Sequence, residues 1–247
     1  MTTADSATTV QRVVVMGGSS GIGEATATTF AAQGAEVVIT GRTRDKIDAA
    51  VARIGGKTTG YRMDATSPAD IDAFFAQSGP IDHLVIAVSG AAGSGPFAEL
   101  NLDDLEAGFA QKFWPQVRIL KAALPHLNPT ASVTLITAAS ARAAFAGTVG
   151  LAAINGALQS MVPPLAVELA PIRVNAVSPG VIDTPWWDRV PEAQRRDLFH
   201  GLAATTPVGR VGNPAELGRA VHALATNGFI TGVVLDVTGG ANLPTGR

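Results

Sequence analysis

Short runs of Val, Ile and Leu alternate along the chain with longer stretches in which apolar residues recur every three to four positions. The apolar runs predict strands over 12–16, 36–40, 58–63, 83–88, 132–137, 172–177 and 233–237. The helical patterns fall at 21–33, 44–54, 68–77, 102–127, 149–169 and 214–225. Strands that are apolar on both faces and separated by helices imply a parallel sheet covered on both sides. The fold class expected is therefore α/β, one doubly wound parallel sheet of about seven strands. The alternation runs on without a linker, so 11–247 reads as one domain behind a polar tail at 1–10. Residues 184–207 interrupt it with two Trp, prolines and several charges, an insertion expected at the carboxyl ends of the strands as a substrate lid. Pro115 and the pair Pro163-Pro164 fall inside predicted helices. Each should remove a backbone hydrogen bond and kink its helix, at a cost of about 3 kcal/mol or more.

Composition narrows the function classes. Hydrophobic residues make up 47% of the 247 positions and charged residues 15%, which suits a large core and a buried subunit interface. A net charge of −2 gives no electrostatic reason for a nucleic acid or an anionic membrane as partner. With no cysteine, disulfides, thiolate metal sites and cysteine nucleophiles are excluded. His83, His126, His200 and His222 show no metal-ligand spacing, so no metal is expected. The first ten residues lack a basic start and an apolar run, and no apolar stretch reads as a membrane span. The cytoplasm is the default compartment.

The most informative segment is Val13-Val14-Val15-Met16-Gly17-Gly18-Ser19-Ser20-Gly21-Ile22-Gly23, a strand entering a glycine turn that opens a helix. Gly17, Gly21 and Gly23 permit a tight turn and close approach of backbone to a pyrophosphate, and the helix start offers oriented N–H groups, with Ser19, Ser20 and Ile22 between them. A glycine turn alone is also compatible with no function. A second strand follows, and Asp64 lies just past the third, placed to hydrogen-bond an adenine ring.

With these residues the chain resembles the short-chain dehydrogenase/reductase family, whose glycine turn usually reads T-G-x-x-x-G-I-G; here Met16 stands at the threonine. The resemblance runs from about Arg12 to Gly240. It includes Ile172-Arg173-Val174-Asn175-Ala176-Val177-Ser178-Pro179-Gly180 followed by Thr184, and Leu235-Asp236-Val237-Thr238-Gly239-Gly240. It implies a Rossmann-type fold and a nicotinamide cofactor touched by Pro179, Gly180, Ile182 and Thr184, with Ser89 near the adenosine ribose. Family members that prefer NAD often end the second strand on an acidic residue. Here Gly41 stands at that position and Arg42 follows, a guanidinium suited to a 2′-phosphate, so NADP(H) is the cofactor expected. The alternative for Arg42 is a solvated residue at a helix start.

The family's active site is an Asn, a Ser, a Tyr and a Lys, and this chain departs at all four. Aligning Leu151-Ala152-Ala153-Ile154-Asn155-Gly156-Ala157-Leu158 with Y-x-x-S-K-A-A-L puts Leu151 at tyrosine and Asn155 at lysine. Ala138 falls at serine, with Thr137 or Ser140 able to supply a hydroxyl if the loop shifts, and Lys112 falls at asparagine. Tyr61, the one tyrosine, is distant in sequence and fold position. Asparagine and lysine thus exchange places: Lys112 is expected to supply positive charge near the nicotinamide ribose and Asn155 to hydrogen-bond the sugar, the alternative being drift, with Lys112 reaching solvent.

Replacement groups are few, and each has two readings. Asp183 is either an acid or a carboxylate partner for a cationic substrate, or an N-terminal cap for the following segment. Arg142 either faces the cleft or is solvated. Trp186 and Trp187 either clamp a substrate or pack the lid on the core. The resemblance implies a homotetramer or homodimer through the two long helices, less assured because of their prolines. Two functions stay open: an atypical NADP(H)-dependent reductase of a small pre-activated electrophile, an iminium or a polarised enone or carbonyl, and a nucleotide-binding protein without hydride transfer, acting as sensor, scaffold or non-redox cyclase or isomerase.

Overall fold

The computed structural model describes residues 10–243. The expected tail at 1–10 lies outside the described residues except for Val10, as do positions 244–247 of the expected domain. Among the described residues seven strands form one sheet: β1 (Arg12–Met16), β2 (Glu36–Gly41), β3 (Lys57–Arg62), β4 (Ile81–Ile86), β5 (Leu127–Ile136), β6 (Arg173–Pro179) and β7 (Val234–Val237). Their order is β3-β2-β1-β4-β5-β6-β7, every pair parallel. The fold is the single-domain α/β architecture expected. The order reverses direction between β1 and β4, which opens a crevice at the carboxyl ends of those two strands.

Alternation along the strands divides the core in two. Val13 and Val15 face one side, with Val37, Ile39 and Val85, and are covered by α1 (Gly21–Ala32), α2 (Arg44–Ile54) and α8 (Pro214–Thr226) through Phe30, Ile47, Leu217 and Val221. Val14 and Met16 face the other, with Leu84, Ile86 and Val133. There α3 (Pro68–Phe75), α5 (Trp114–Ala123) and α6 (Val149–Glu168) contribute Phe74, Ile119 and Val162. By length and composition alone α6 could cross a membrane, but Ile154, Leu158 and Val162 are buried along it, and Val162 and Ala166 pack with residues of the sheet.

The structure corrects several expected boundaries. The stretch 102–127 is not one helix. It divides into α4 (Leu102–Gly108), a π-helical turn (Phe109–Phe113), α5 and a 3-10 turn (Leu124–His126). Pro115 has no N–H to donate, and the wide turn directly before α5 is where the hydrogen-bond ladder changes spacing. β5 starts at Leu127, earlier than expected, because Leu127 pairs with Ile81 and the Asn128 amide donates to Asp82 at 2.6 Å. Pro163 and Pro164 do not end α6, which continues to Glu168 with both prolines exposed in its last two turns. Within 184–207 the chain forms a 3-10 turn (Pro185–Arg189) and then α7 (Glu192–Thr205), a helix not expected there.

Candidate active site

A cleft of about 1220 Å³ opens over the carboxyl ends of the strands. That exceeds the ~300–1,000 Å³ of a pocket for one small molecule and leaves room for an extended one. One end is built by the turn between β1 and α1. Gly17 and Gly21 take φ of +82° and +56°, a region open to glycine. A Cβ on Gly17 would lie 3.0 Å from the Ala87 carbonyl oxygen, and one on Gly23 would overlap the Gly17 carbonyl. Ser20 is the N-cap of α1 but makes no side-chain cap, so the N–H groups of the first turn remain available to an anion. The Thr40 hydroxyl accepts from the Gly17 N–H at 3.3 Å and lies 3.5 Å from the Met16 sulfur.

Ser19, Ser20, Gly21, Ile22 and Gly23 all line this end, with Arg42, Asp64 and Ser89. At Gly41, where the family resemblance would allow an acidic residue, a Cβ would meet the Ser19 hydroxyl at 2.7 Å. A side chain there would have to displace the Ser19 hydroxyl; with glycine in place, Arg42 is the first charged group after β2. Asp64 accepts from the Thr66 N–H and hydroxyl at 2.9 and 2.8 Å. These bonds, helped by Arg42 and Arg62, hold its carboxyl below the usual range.

The other end is assembled from separate segments. Lys112 sits in the π-helical turn, 8% exposed, and its ammonium donates to the Thr137 carbonyl at 3.2 Å. Burial pushes its pKa down to about 8. Thus Lys112 is buried at the cleft and does not reach away to solvent. Asn155, buried on α6, donates to the Ser140 hydroxyl at 3.2 Å and to the Leu151 carbonyl at 2.8 Å. Its Oδ1 is buried without a partner among the described residues. An orphaned acceptor at one end of the cleft and a glycine-lined cradle at the other fit a nicotinamide dinucleotide, whose riboses offer hydroxyl donors.

Ser140, on a 3-10 turn (Ala139–Ala141), lines the cleft with Ala138 and Thr137, and Leu151 presents hydrocarbon to the same wall from the first turn of α6. Gln159, absent from the sequence reading, fixes this loop by donating to the Thr137 hydroxyl at 3.0 Å and the Ala138 carbonyl at 3.2 Å. Gln116 similarly joins Val88 to Ile136, at 3.0 and 3.1 Å. An amide one helical turn beyond Asn155, in a stretch otherwise apolar, was the available signal for Gln159.

Pro179, Gly180, Ile182 and Thr184 line the cleft as expected of their segment; Asp183 does not. Ile182 is bridged to Gly212, the Asp183 N–H donates to the Gly212 carbonyl at 3.0 Å, and Asp183 is exposed outside the cleft lining. Nor does Asp183 cap the following turn, whose N-cap is Thr184. Both readings of Asp183 are thereby corrected. Arg142 borders the cleft and is paired with Asp236 at 2.8 Å, a partner 94 positions away. Trp186 and Trp187 line the cleft edge to face, 4.7 Å between centroids. The Trp186 indole donates to the Gly90 carbonyl at 3.3 Å and that of Trp187 to the Ile182 carbonyl at 3.0 Å. Tyr61 is outside the cleft, bonded to Gln77 beside Phe74.

A family model described as enoyl-(acyl carrier protein) reductase matches residues 17–242. The chain is similar to a rat (Rattus norvegicus) protein named L-fucose dehydrogenase, 34% identical over 251 aligned residues that cover 95% of this chain and 90% of the relative. It is similar to a Caenorhabditis elegans protein named probable 2,4-dienoyl-CoA reductase 3, 32% identical over 92% of this chain and 79% of the relative. Among solved structures, a small-chain dehydrogenase in complex with NADPH superposes with a TM-score of 0.81 at 28% identity, covering 95% of this chain and all of the other. Together with a glycine-turn cradle on a seven-stranded parallel sheet, these likenesses identify the cleft as a nicotinamide site: the chain belongs to the short-chain dehydrogenase/reductase family.

Proposed function

We propose that this chain is an atypical NADP(H)-dependent oxidoreductase that reduces an already activated electrophile, an iminium or a polarised enone or carbonyl, without a tyrosine acid. One observation carries the reading. Where the family resemblance implies tyrosine, Leu151 puts hydrocarbon on the cleft wall, and the buried charge at that corner is the Lys112 ammonium. A positioned acid typically contributes 10²–10⁴-fold to such a reduction, so a substrate polarised in advance is the one least harmed by its loss.

When bound, the reduced nicotinamide supplies the hydride. The chain's own residues orient and polarise. Asn155 offers its unpartnered Oδ1 to a sugar hydroxyl, and Ser140, held by Asn155, presents a hydroxyl to the cleft. Lys112 contributes positive charge from a site with little water. The preference for NADP(H) is supported by Arg42 beside a Gly41 that carries no carboxylate to repel a 2′-phosphate, and by the NADPH in the similar structure. The name of the C. elegans relative supports a conjugated substrate. Residues 184–207 act as the lid through Trp186 and Trp187.

Assembly as a homodimer or homotetramer is supported by the exposed apolar residues Trp114, Val149 and Val167 on α5 and α6, the last two a whole number of turns apart. The test is NADPH consumption with a cyclic iminium, with cyclohexenone and with cyclohexanone. The reading expects turnover of at least one of the activated pair and little of the simple ketone. Cyclohexanone turned over as fast as both activated compounds overturns it.

A further inference from the structure

The substrate end of the cleft carries unbalanced positive charge. Among the described residues its lining includes Lys112, Arg142 and Arg189. The one carboxylate in the lining, Asp64, stands at the opposite end with Arg42. Arg142 is balanced by Asp236. Arg189 has no ion pair or hydrogen bond among the described residues, since the adjacent carboxylate, Asp188, is taken by Arg195 at 2.6 Å. Its guanidinium lies 3.4 Å from the centroid of the Trp186 ring. That ring is tethered through its indole N–H to Gly90 on the facing loop. Stacking occupies one face of the guanidinium and leaves its in-plane N–H groups free, the arrangement that accepts a planar oxyanion in two parallel hydrogen bonds. Partial burial adds to the gain from an anion, because it costs the guanidinium hydration that an ion pair replaces.

We propose that the ligand of this cleft carries a carboxylate set apart from its reacting centre, and that Arg189, held on Trp186, is the residue that recognises it. The inference rests on the reading of the cleft as a reductase site. It narrows the choice within that reading, because a cationic iminium meets two uncompensated cations while an enone bearing a carboxylate meets complementary charge.

The test uses 4-[(E)-3-oxobut-1-enyl]benzoate and its methyl ester, which share one enone and differ by a single charge placed across the ring from it; the chain has no cysteine for the alkene to alkylate. Each is titrated into protein saturated with NADP⁺, with tryptophan fluorescence as the readout. The acid is expected to bind about tenfold or more tighter than the ester. Arg189→Gln should abolish that gap while the ester's affinity and the Kd for NADPH stay unchanged. Equal binding of acid and ester, or a gap that survives Arg189→Gln, overturns the proposal. A loss of NADPH affinity in the variant also overturns it, by assigning Arg189 to the cofactor's pyrophosphate. Failure of the reductase reading is visible separately: neither compound consumes NADPH while the acid still binds better, which upholds the anion site and removes the chemistry.

Discussion

The two ends of the cleft are built by different means. At the nucleotide end, backbone does the shaping: Gly17 and Gly21 hold positive φ, Gly23 lies against the Gly17 carbonyl, and Gly41 against Ser19, all within one strand-turn-helix-strand unit. At the substrate end, side chains from distant segments meet. Lys112 reaches Thr137, Asn155 reaches Ser140, Arg142 reaches Asp236 and Trp186 reaches Gly90. A surface made by backbone tolerates few residues and keeps one ligand class. A surface made by side chains can exchange its chemistry one residue at a time while the scaffold persists.

Substitutions at the two ends should therefore fail differently. The largest effect is expected from Gly23→Ala, whose Cβ has no space beside the Gly17 carbonyl. Overpacking of about 1–3 kcal/mol that displaces the turn would weaken NADPH by up to about 150-fold in a fluorescence titration, with a lowered Tm. Lys112→Met should lower kcat on activated substrates by about a hundredfold while Tm holds or rises, because a buried ammonium is replaced by a side chain of similar length that needs no hydration. A variant that loses activity and Tm together would make Lys112 structural.

The same residue gives opposite signs with pH. Its folded pKa is about 8, below the ordinary 10.5, so turnover that needs the ammonium falls as pH rises through about 8. Between about 8 and 10.5 the unfolded chain holds the proton that the folded chain has lost, so this group's contribution to stability rises with pH over that window. Unfolding midpoints of wild type and Lys112→Met across the window isolate the contribution. Arg42→Ala comes next. Loss of a charge-assisted contact of about 1.5–3 kcal/mol should weaken NADPH by roughly ten- to a hundredfold and leave NADH unchanged. The smallest effect belongs to Asp183→Asn. Asp183 is exposed and lies outside the cleft lining, and kcat/KM should stay within about twofold of wild type.

The same division explains what could be read from the chain alone. The alternation of Val13 and Val15 against Val14 and Met16 is a local property with period two, and so is the glycine spacing at 17, 21 and 23. The parallel sheet, its two covered faces and the phosphate turn followed from such local patterns, while the order of the strands did not. The π-helical turn was not legible, since Pro115 announced a disturbance without saying that it would be absorbed as a wider turn holding Lys112. Asp183 looked poised because Ile182 and Thr184 flank the nicotinamide stretch. The bridge of Ile182 to Gly212, which holds the Asp183 backbone, is set by a segment about thirty positions later. The Arg142 partner and the stack of Arg189 on Trp186 depend on where separate loops end, which no spacing encodes.

The most direct test follows the label from NADPH deuterated at the nicotinamide C4 into cyclohexenone, read by mass spectrometry and NMR of the product. The account predicts one deuterium at the β-carbon of cyclohexanone and a solvent-derived hydrogen at the α-carbon, with no label transferred when cyclohexanone itself is the substrate. Label recovered in cyclohexanol at a comparable rate, or NADPH bound with no transfer to any activated acceptor, would contradict it.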